Sequence, residues 1–272
     1  MTSGIPYPGD GSYSARIMAE LQKRSIRDAA KGKPWDTAKI VDEAAAVPLC
    51  FHPGRYWVYG FSHDILGRLI EVLSGRKLGQ YLSETIFEPL SLKDTAFYVP
   101  KEKQSRLVKP YRLGPKGLKE LGANDLDSDP ASPNPPAFES GGGGLCSTMA
   151  DCASYACMLL GNGKPGKERI LSRKTIELIR SKHCIPLEMA SNLSDEITGY
   201  GYGLGVRTML NPAAAGLNGS VGEWAWDGLM GTYYLIDPAE ELVALFFTQL
   251  LSDINGRLQR GFIQTVYGAI DD

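Results

Sequence analysis

The last third of the chain carries the pattern of an antiparallel sheet, and this restricts the possible folds more than any other segment does. Two strand patterns, at 231–236 and 242–248, are joined by the turn Asp237-Pro238-Ala239-Glu240. Further strand patterns precede them at 200–210 and 223–227. A final helix would cover one face of the sheet, because its apolar residues keep a helical register: Ile254, Leu258, Phe262, Val266 and Ile270.

The first half of the chain is predicted to be helical. A sparsely apolar helix is expected at 12–31, and Asp36 can cap a second helix that runs to Ala46. The amphipathic spacing at 62–73, stopped by Gly75, and the segment 78–87, ended by Pro89, predict a pair that forms a helical core. Two more helices are expected, from the capping box Thr148-x-x-Asp151 to Leu160 and from Ser172 to Lys182.

Helices followed by a helix-covered sheet indicate an α+β arrangement with a cleft between two domains. We expect residues 1–195 to form a mainly helical domain, and residues 196–272 to hold the antiparallel sheet and the C-terminal helix. Between 101 and 140 the chain has six prolines and little periodicity, which predicts a long irregular excursion across the surface.

Charge and composition exclude several classes of partner. The formal net charge of −2 provides no basic field for nucleic acid or an anionic membrane. The longest apolar run considered, 242–247, is far shorter than the roughly 20 residues of a membrane span. The five cysteines are scattered without a Cys-x-x-Cys pair, so we expect thiols and, for the chain as given, a cytoplasmic location. The histidines lack ligand spacing, so no metal and no cofactor is expected.

A search for a nucleophilic serine finds no convincing local motif. Ser62 is followed by His63-Asp64 rather than by the last glycine of a Gly-x-Ser-x-Gly elbow, and is interpreted as a helix cap. Ser74-Gly75-Arg76-Lys77 matches the letters of Ser-x-x-Lys, but a glycine at the close of a helix breaks the turn that would bring the lysine to the serine. The glycine run at 141–144 lacks the Gly-Lys-Ser/Thr of a phosphate loop.

Several segments nevertheless agree in order and spacing with those of one family. They are residues 53–59 (Pro-Gly-Arg-Tyr-Trp-Val-Tyr), 64–71, 86–90, 139–148, and Trp226-Asp227-Gly228 with Gly231-Thr232. Together they resemble the serine β-lactamase-like family, which includes class C β-lactamases, penicillin-binding-protein-type peptidases and family VIII esterases. The resemblance spans nearly the whole chain and implies a β-lactamase/transpeptidase-like fold.

The resemblance also implies a set of site residues. Tyr59 corresponds to the tyrosine of the second motif, which relays a proton between the nucleophile and the leaving group. A phenol, with its ordinary pKa near 10, can do this only beside a cation that lowers the pKa. Trp226-Asp227-Gly228 corresponds to the third motif, and the Leu229 N–H would donate to an oxyanion. The alternative for Tyr59 is core packing, and the alternative for the third segment is a buried tryptophan strand.

Two departures from the family pattern bear on the substrate. Phe61 stands where the second motif usually ends in asparagine, which removes an amide that could hold a substrate carbonyl. Trp226 stands where the third motif usually has Lys or His, and Asp227 follows it. A penicillin carboxylate would therefore lose its cation and meet a negative charge. We therefore expect Trp226, Asp227, Gly228 and Phe61 to contact a substrate that is an ester without that carboxylate.

The family's nucleophilic Ser-x-x-Lys lies upstream of the segment that residues 1–7 resemble, so the resemblance implies that the N-terminal part of the fold is missing here. Strands that pair with the C-terminal sheet would be missing too, which predicts an exposed sheet edge. Two functions stay open: an esterase that acts on small acyl esters through an acyl-enzyme, and a catalytically silent fold that serves as a binding module. The expected partners are a small ester or amide, a second copy of the chain, or a complementing N-terminal segment.

Overall fold

The computed structural model describes residues 1–9, 11–122, 132, 134–163, 169–181, 197–252 and 255–271. The helices are α1 Tyr13–Ala29, α2 Thr37–Ala45, α3 Ser62–Ser74, α4 Leu78–Leu82, α5 Met149–Leu160, α6 Arg173–Arg180, α7 Pro212–Ala215 and α8 Asn255–Tyr267. The strands are β1 Tyr111–Gly114, β2 Gly117–Glu120, β3 Tyr200–Tyr202, β4 Arg207–Met209, β5 Trp224–Asp227, β6 Tyr233–Asp237, β7 Leu242–Phe246 and β8 Leu250–Leu251.

Strands β3 to β7 form a five-stranded antiparallel sheet in chain order, which confirms the predicted meander. In the register of β5 and β6, Trp224 lies opposite Ile236 and Asp227 opposite Tyr233. The turn between β6 and β7 is held by Asp237, whose Oδ1 accepts the Ala239 N–H at 2.9 Å. This is the Asx-type bond that favours aspartate at turns.

The sheet lies between two layers of helix, because successive side chains of a strand face opposite sides. On one face Tyr233, Leu235 and Ala244 pack with Ile263 and Tyr267 of α8, so a helix covers the sheet as predicted. The predicted register of that helix is wrong, because its buried residues are Gln259, Ile263 and Tyr267, whereas Leu258 and Ile270 are exposed. On the other face Trp224 and Ile236 pack against residues of α5 and α6. A third apolar cluster joins α1 and α2 to the start of α3, so α1 does not cover the sheet.

Helix starts follow the predicted caps. The side-chain oxygens of Ser12, Asp36, Thr148 and Ser172 each accept the backbone N–H three residues further on. Gly75 ends α3 in the left-handed conformation, with φ of +69°. The predicted helix at 78–87 has the expected length, but it is α-helical only to Leu82 and π-helical from Ser83 to Phe87.

Ser62 does not cap α3, and that interpretation was wrong. The cap position is held by Phe61, which forms no side-chain cap hydrogen bond, and Ser62 is the first helical residue. Its hydroxyl pairs instead with the Ser3 hydroxyl at 3.0 Å. The Ser62 hydroxyl, which would have accepted a backbone N–H in a cap, is therefore bonded to the first segment of the chain.

The buried face of α3 differs from the one that its apolar spacing predicts. Asp64, Gly67 and Glu71 are buried, whereas Leu66 and Leu69 are exposed and Leu73 is 78% exposed. Buried polar groups need partners, and the Glu71 Oε1 accepts the N–H of Leu78 at 3.3 Å. The expectation that this stripe forms the helical core is therefore wrong for Leu66, Leu69 and Leu73.

The segment 101–140 is more ordered than expected. A 3₁₀-helix spans Lys101–Arg106, and β1 and β2 form a hairpin in which Tyr111 lies opposite Glu120. The predicted strand at 242–248 is observed as β7, which ends at Phe246. The chain then continues into β8, which pairs in parallel with β1 in a second sheet. Residues 123–131 and 133, the helix end at Lys182 and the expected boundary at 195–196 lie outside the described residues.

Strand β7 is bonded to β6 on one side, and within the described part of the chain its other edge has no partner strand. Its two faces are both covered. Leu242, Ala244 and Phe246 pack towards α8, and Val243 packs on the opposite side. The continuous apolar run at 242–247 has this double cover as its physical cause.

None of the described helices combines the length and the apolar character needed to cross a membrane. The described cysteines, Cys50, Cys146, Cys152 and Cys157, are free thiols.

Candidate functional site

The structure brings together the two segments that the family resemblance assigns to the site. The ring of Tyr59, in the extended segment before α3, lies 5.7 Å from the ring of Trp226 on β5. Trp57 stacks near Tyr59 at 6.3 Å, and Tyr7 approaches it at 5.5 Å. Tyr59 therefore sits in an aromatic cluster formed by three separate parts of the chain.

Burial raises the pKa of the Tyr59 phenol above its ordinary value. A hydrogen bond from the Trp226 indole, which can only donate, acts in the opposite direction, whereas the charges of Asp227 and Asp64 raise the pKa further. Among the described residues, no cationic side chain contributes to this shift. The cation that the proton-relay role calls for is therefore not supplied by the described residues.

Asp227 is not an unbalanced charge in the cleft, which corrects the expectation from sequence. It follows Trp226 on β5, so its side chain points to the opposite face of the strand. There the Asp227 Oδ1 forms an ion pair with Arg207 Nη1 at 2.5 Å. A substrate carboxylate would therefore meet a paired carboxylate and not an isolated one.

Arg207 is a residue that the sequence analysis missed. Its guanidinium is buried and lies over the rings of Tyr200, Tyr233 and Trp226 at 5.4, 5.5 and 5.9 Å. Burial opposes its charge, but Asp227 and the neighbouring tyrosines outweigh burial and raise the pKa of Arg207 above its ordinary value. The sequence gives no signal of this pairing, because Arg207 and Asp227 lie 20 residues apart on different strands.

The turn after β5 presents the predicted backbone donor. Gly228 donates to the Thr232 carbonyl at 2.7 Å, and Gly231 donates to the Gly228 carbonyl at 2.8 Å. Leu229, at the tip, has a side chain 78% exposed, and its N–H forms no hydrogen bond within the described residues. Among the described residues, no hydrogen-bond acceptor competes for the Leu229 N–H.

Phe61 lies in the core and not on an open surface. It is 8% exposed, packs edge-on against Tyr7 and stacks near Phe138. So little exposed area offers a substrate almost no contact, and the expected substrate contact of Phe61 has no support in this geometry.

Ser74 behaves as the predicted helix end. Its hydroxyl accepts the N–H of Arg76 at 3.2 Å, directly beyond the left-handed Gly75. Lys77 lies past this break, at the start of α4. The Ser74–Lys77 pair thus lacks the single helical turn that a serine–lysine nucleophile requires.

Two further side chains, both at the start of α3, were also missed. Asp64 is buried and accepts hydrogen bonds from Tyr7, Ser140 and Gly142. His63 is partly buried, and burial lowers its pKa, while Asp64 raises it. No cluster of three His, Cys, Asp or Glu side chains able to hold a metal occurs among the described residues.

The family model "Beta-lactamase" matches residues 1–262. The chain belongs to the beta-lactamase family. An uncharacterized protein of Mycobacterium tuberculosis is 29% identical over 219 residues, covering 78% of this chain and 53% of the relative. Lovastatin esterase of Penicillium rubens is 26% identical (84% and 59% covered), and esterase EstB of Burkholderia gladioli is 25% identical (91% and 62% covered).

Solved structures confirm the predicted α+β, β-lactamase/transpeptidase-like fold. Simvastatin synthase LovD of Aspergillus terreus superposes with a TM-score of 0.74 at 20% identity, covering 100% of this chain and 67% of that one. EstCE1, a hydrolase with promiscuous acyltransferase activity, superposes with a TM-score of 0.72 at 21% identity, covering 86% and 62%. The chain thus spans about half to two thirds of the length of these relatives.

Proposed function

We propose that this chain carries the tyrosine and the oxyanion side of an ester-hydrolysing site that acts on small acyl esters through an acyl-enzyme. The observation that carries the proposal is the contact of Tyr59 with Trp226, at 5.7 Å, which joins the second and third family motifs. The N–H of Leu229, just beyond the same strand, supports it, because it has no hydrogen-bond partner among the described residues. Two of the matched relatives are named esterases.

In the proposed reaction a serine attacks the ester carbonyl, and Tyr59 takes the serine proton and returns it to the alcohol that leaves. The Leu229 N–H donates to the oxygen that becomes negative in the tetrahedral intermediate. Water then releases the acyl group from the serine by the same proton route. The serine belongs to the Ser-x-x-Lys motif that the resemblance implies, and its lysine is the cation that would lower the pKa of Tyr59.

The choice of esters over penicillins is supported by the charges near Trp226. An indole cannot pair with a carboxylate as the usual Lys or His would. Arg207, whose guanidinium lies 5.9 Å from the Trp226 ring, already pairs with Asp227 at 2.5 Å. A substrate carboxylate would therefore have to compete with a buried ion pair.

One observation favours the second candidate, a silent fold that serves as a binding module. Burial, Asp227 and Asp64 all raise the pKa of Tyr59, and a phenol with a raised pKa is a poor proton acceptor at neutral pH. Under this alternative, the surface around Tyr59 binds a small acyl compound without hydrolysing it.

Fluorophosphonate labelling, followed by intact mass, separates the candidates. One sample is this chain; the second is the chain fused behind the segment that precedes the aligned region in esterase EstB of Burkholderia gladioli. The proposal expects no stoichiometric label on the chain alone and one label per molecule on the fused protein. A label on the chain alone would show an overlooked serine, and no label on a folded fusion would favour the binding module.

A further inference from the structure

Asp64 is one of the most deeply buried charged side chains of the chain, at 1% exposure. Its Oδ1 accepts the Ser140 hydroxyl at 2.6 Å and the Gly142 N–H at 3.2 Å. Its Oδ2 accepts the Tyr7 hydroxyl at 3.1 Å. A single carboxylate in the first turn of α3 thus connects the N-terminal segment with the glycine run at 141–144.

Tyr7 connects these contacts to Tyr59. The Tyr7 ring is 5.5 Å from the Tyr59 ring, so the hydroxyl bond from Tyr7 to Asp64 also fixes one wall of the site. The close approach needs glycine at position 142, because a Cβ there would stand 2.1 Å from the Tyr7 hydroxyl and 2.7 Å from Asp64 Oδ2. This close contact explains why a glycine stands at position 142 of the run, which does not match a phosphate loop.

We propose that Asp64 is a positioning residue of this site: it holds Tyr7 and the 140–142 segment against Tyr59 and makes the two tyrosines chemically unequal. The catalytic meaning of this role rests on the proposed function, whereas the contacts of Asp64 do not. Tyr7 donates a hydrogen bond to Asp64 and keeps its proton, so it stays a neutral phenol. Tyr59 has no bond to Asp64 and remains the tyrosine that is able to exchange a proton.

The carboxylate form matters for this role. Its two oxygens accept all three donors, whereas an asparagine has one accepting oxygen and presents an NH₂ group on the other side. In Asp64→Asn the Tyr7 hydroxyl would face a donor, so it would have to accept the bond that it now donates. The variant keeps the shape of the side chain but reverses the polarity of the Tyr7 contact.

Several titratable groups surround Tyr7 and Tyr59 and affect their pKa values. Burial and then Asp64 and Tyr59 raise the pKa of Tyr7, and Tyr202 adds to this. Asp227 and Asp64 raise the pKa of Tyr59, and Asp64 also acts on His63, whose pKa is lowered by burial. Removal of the Asp64 charge should therefore lower the pKa of Tyr7 most and that of Tyr59 less.

The test is ¹⁹F NMR of the whole chain with 3-fluorotyrosine, the lines being assigned with Tyr7→Phe and Tyr59→Phe. In the unsubstituted chain the Tyr7 line should not titrate below pH 11. In Asp64→Asn the Tyr7 line should shift already at neutral pH, because the Tyr7 hydroxyl loses its carboxylate acceptor, and the Tyr59 line should move as well. The matched control is Asp42→Asn, an exposed aspartate on α2, which should move neither line.

Unchanged Tyr7 and Tyr59 lines in a folded Asp64→Asn protein would overturn the proposal. If that variant does not fold, Ser140→Ala keeps Asp64 and removes its shortest donor; a Tyr59 line that neither shifts nor broadens would then overturn it. The readout needs no catalysis. If the fused protein takes no fluorophosphonate label but the tyrosine NMR lines respond to Asp64→Asn, only the proposed function is rejected. If the fused protein is labelled but the tyrosine lines do not respond, only the role of Asp64 is rejected.

Discussion

Tyr267 on α8 should be a strong single determinant of stability. Its hydroxyl contacts the carboxyl groups of both Glu223 and Asp237, the latter at 2.7 Å, and both carboxyl groups are fully buried. A phenol has one proton and can donate to only one of them. The phenol is therefore the donor that ties α8 to these two buried carboxyl groups next to β5 and in β6.

Replacement Tyr267→Phe removes this link between α8 and the sheet. A hydrogen bond to a charged group contributes ~1.5–3 kcal/mol, and Glu223 would keep Tyr200 at 3.2 Å while Asp237 keeps the Ala239 N–H. We therefore expect a loss of about 2–3 kcal/mol in the free energy of unfolding, measured by urea denaturation. Tyr13→Phe is the matched control, since Tyr13 is 71% exposed and its change should stay within ~0.5 kcal/mol.

The pH dependence gives a second, independent reading. Glu223 has a folded-state pKa above its unfolded value, so its contribution is fully present below the unfolded pKa and is lost as the pH rises through the folded pKa. Because the Tyr267 bond lowers the Glu223 pKa, Tyr267→Phe should shift this loss to higher pH. A Tyr267→Phe protein as stable as Tyr13→Phe, with the same pH profile, would refute the reasoning.

Three other outcomes follow from the site and the sheet. The fused protein should hydrolyse short p-nitrophenyl esters much faster than a chromogenic cephalosporin, because Trp226 carries no charge and Arg207 is paired; equal initial rates would contradict this. Ser74→Ala should change that hydrolysis by no more than a few-fold, since Ser74 lies at a helix end, and a loss of several orders of magnitude without unfolding would identify it as the nucleophile. The isolated chain should sediment as a dimer or larger species and Leu245→Lys should make it insoluble, because β7 has one bonded edge within the described residues; a monodisperse monomer in analytical ultracentrifugation would contradict this.

Local signals explain why much of the fold could be predicted from the sequence. Cap residues such as Ser12 and Asp36 act on N–H groups three positions away, and Gly75 acts on its own backbone. The continuous apolar run of β7 likewise reflects a sheet with helices on both faces. These features depend on neighbours in sequence or on a simple period, which a single chain displays.

The features that were missed depend on partners far away in sequence. The polar buried face of α3 is stabilised by Ser140, Gly142 and Leu78, none of which its own spacing reveals. The charge of Asp227 was judged without Arg207, which reaches it from a neighbouring strand. The hairpin at 111–120 was hidden because nearby prolines suggested an irregular loop.

The most direct test of the account is the role of Tyr59 in ester hydrolysis. It compares p-nitrophenyl acetate hydrolysis by the fused protein with that of its Tyr59→Phe and Tyr13→Phe variants, each checked for folding by circular dichroism. Loss of a proton relay costs on the order of 10²–10⁴ in rate, so Tyr59→Phe should lose at least ~100-fold in kcat while Tyr13→Phe keeps the original rate. Equal rates for the two folded variants would contradict the central claim.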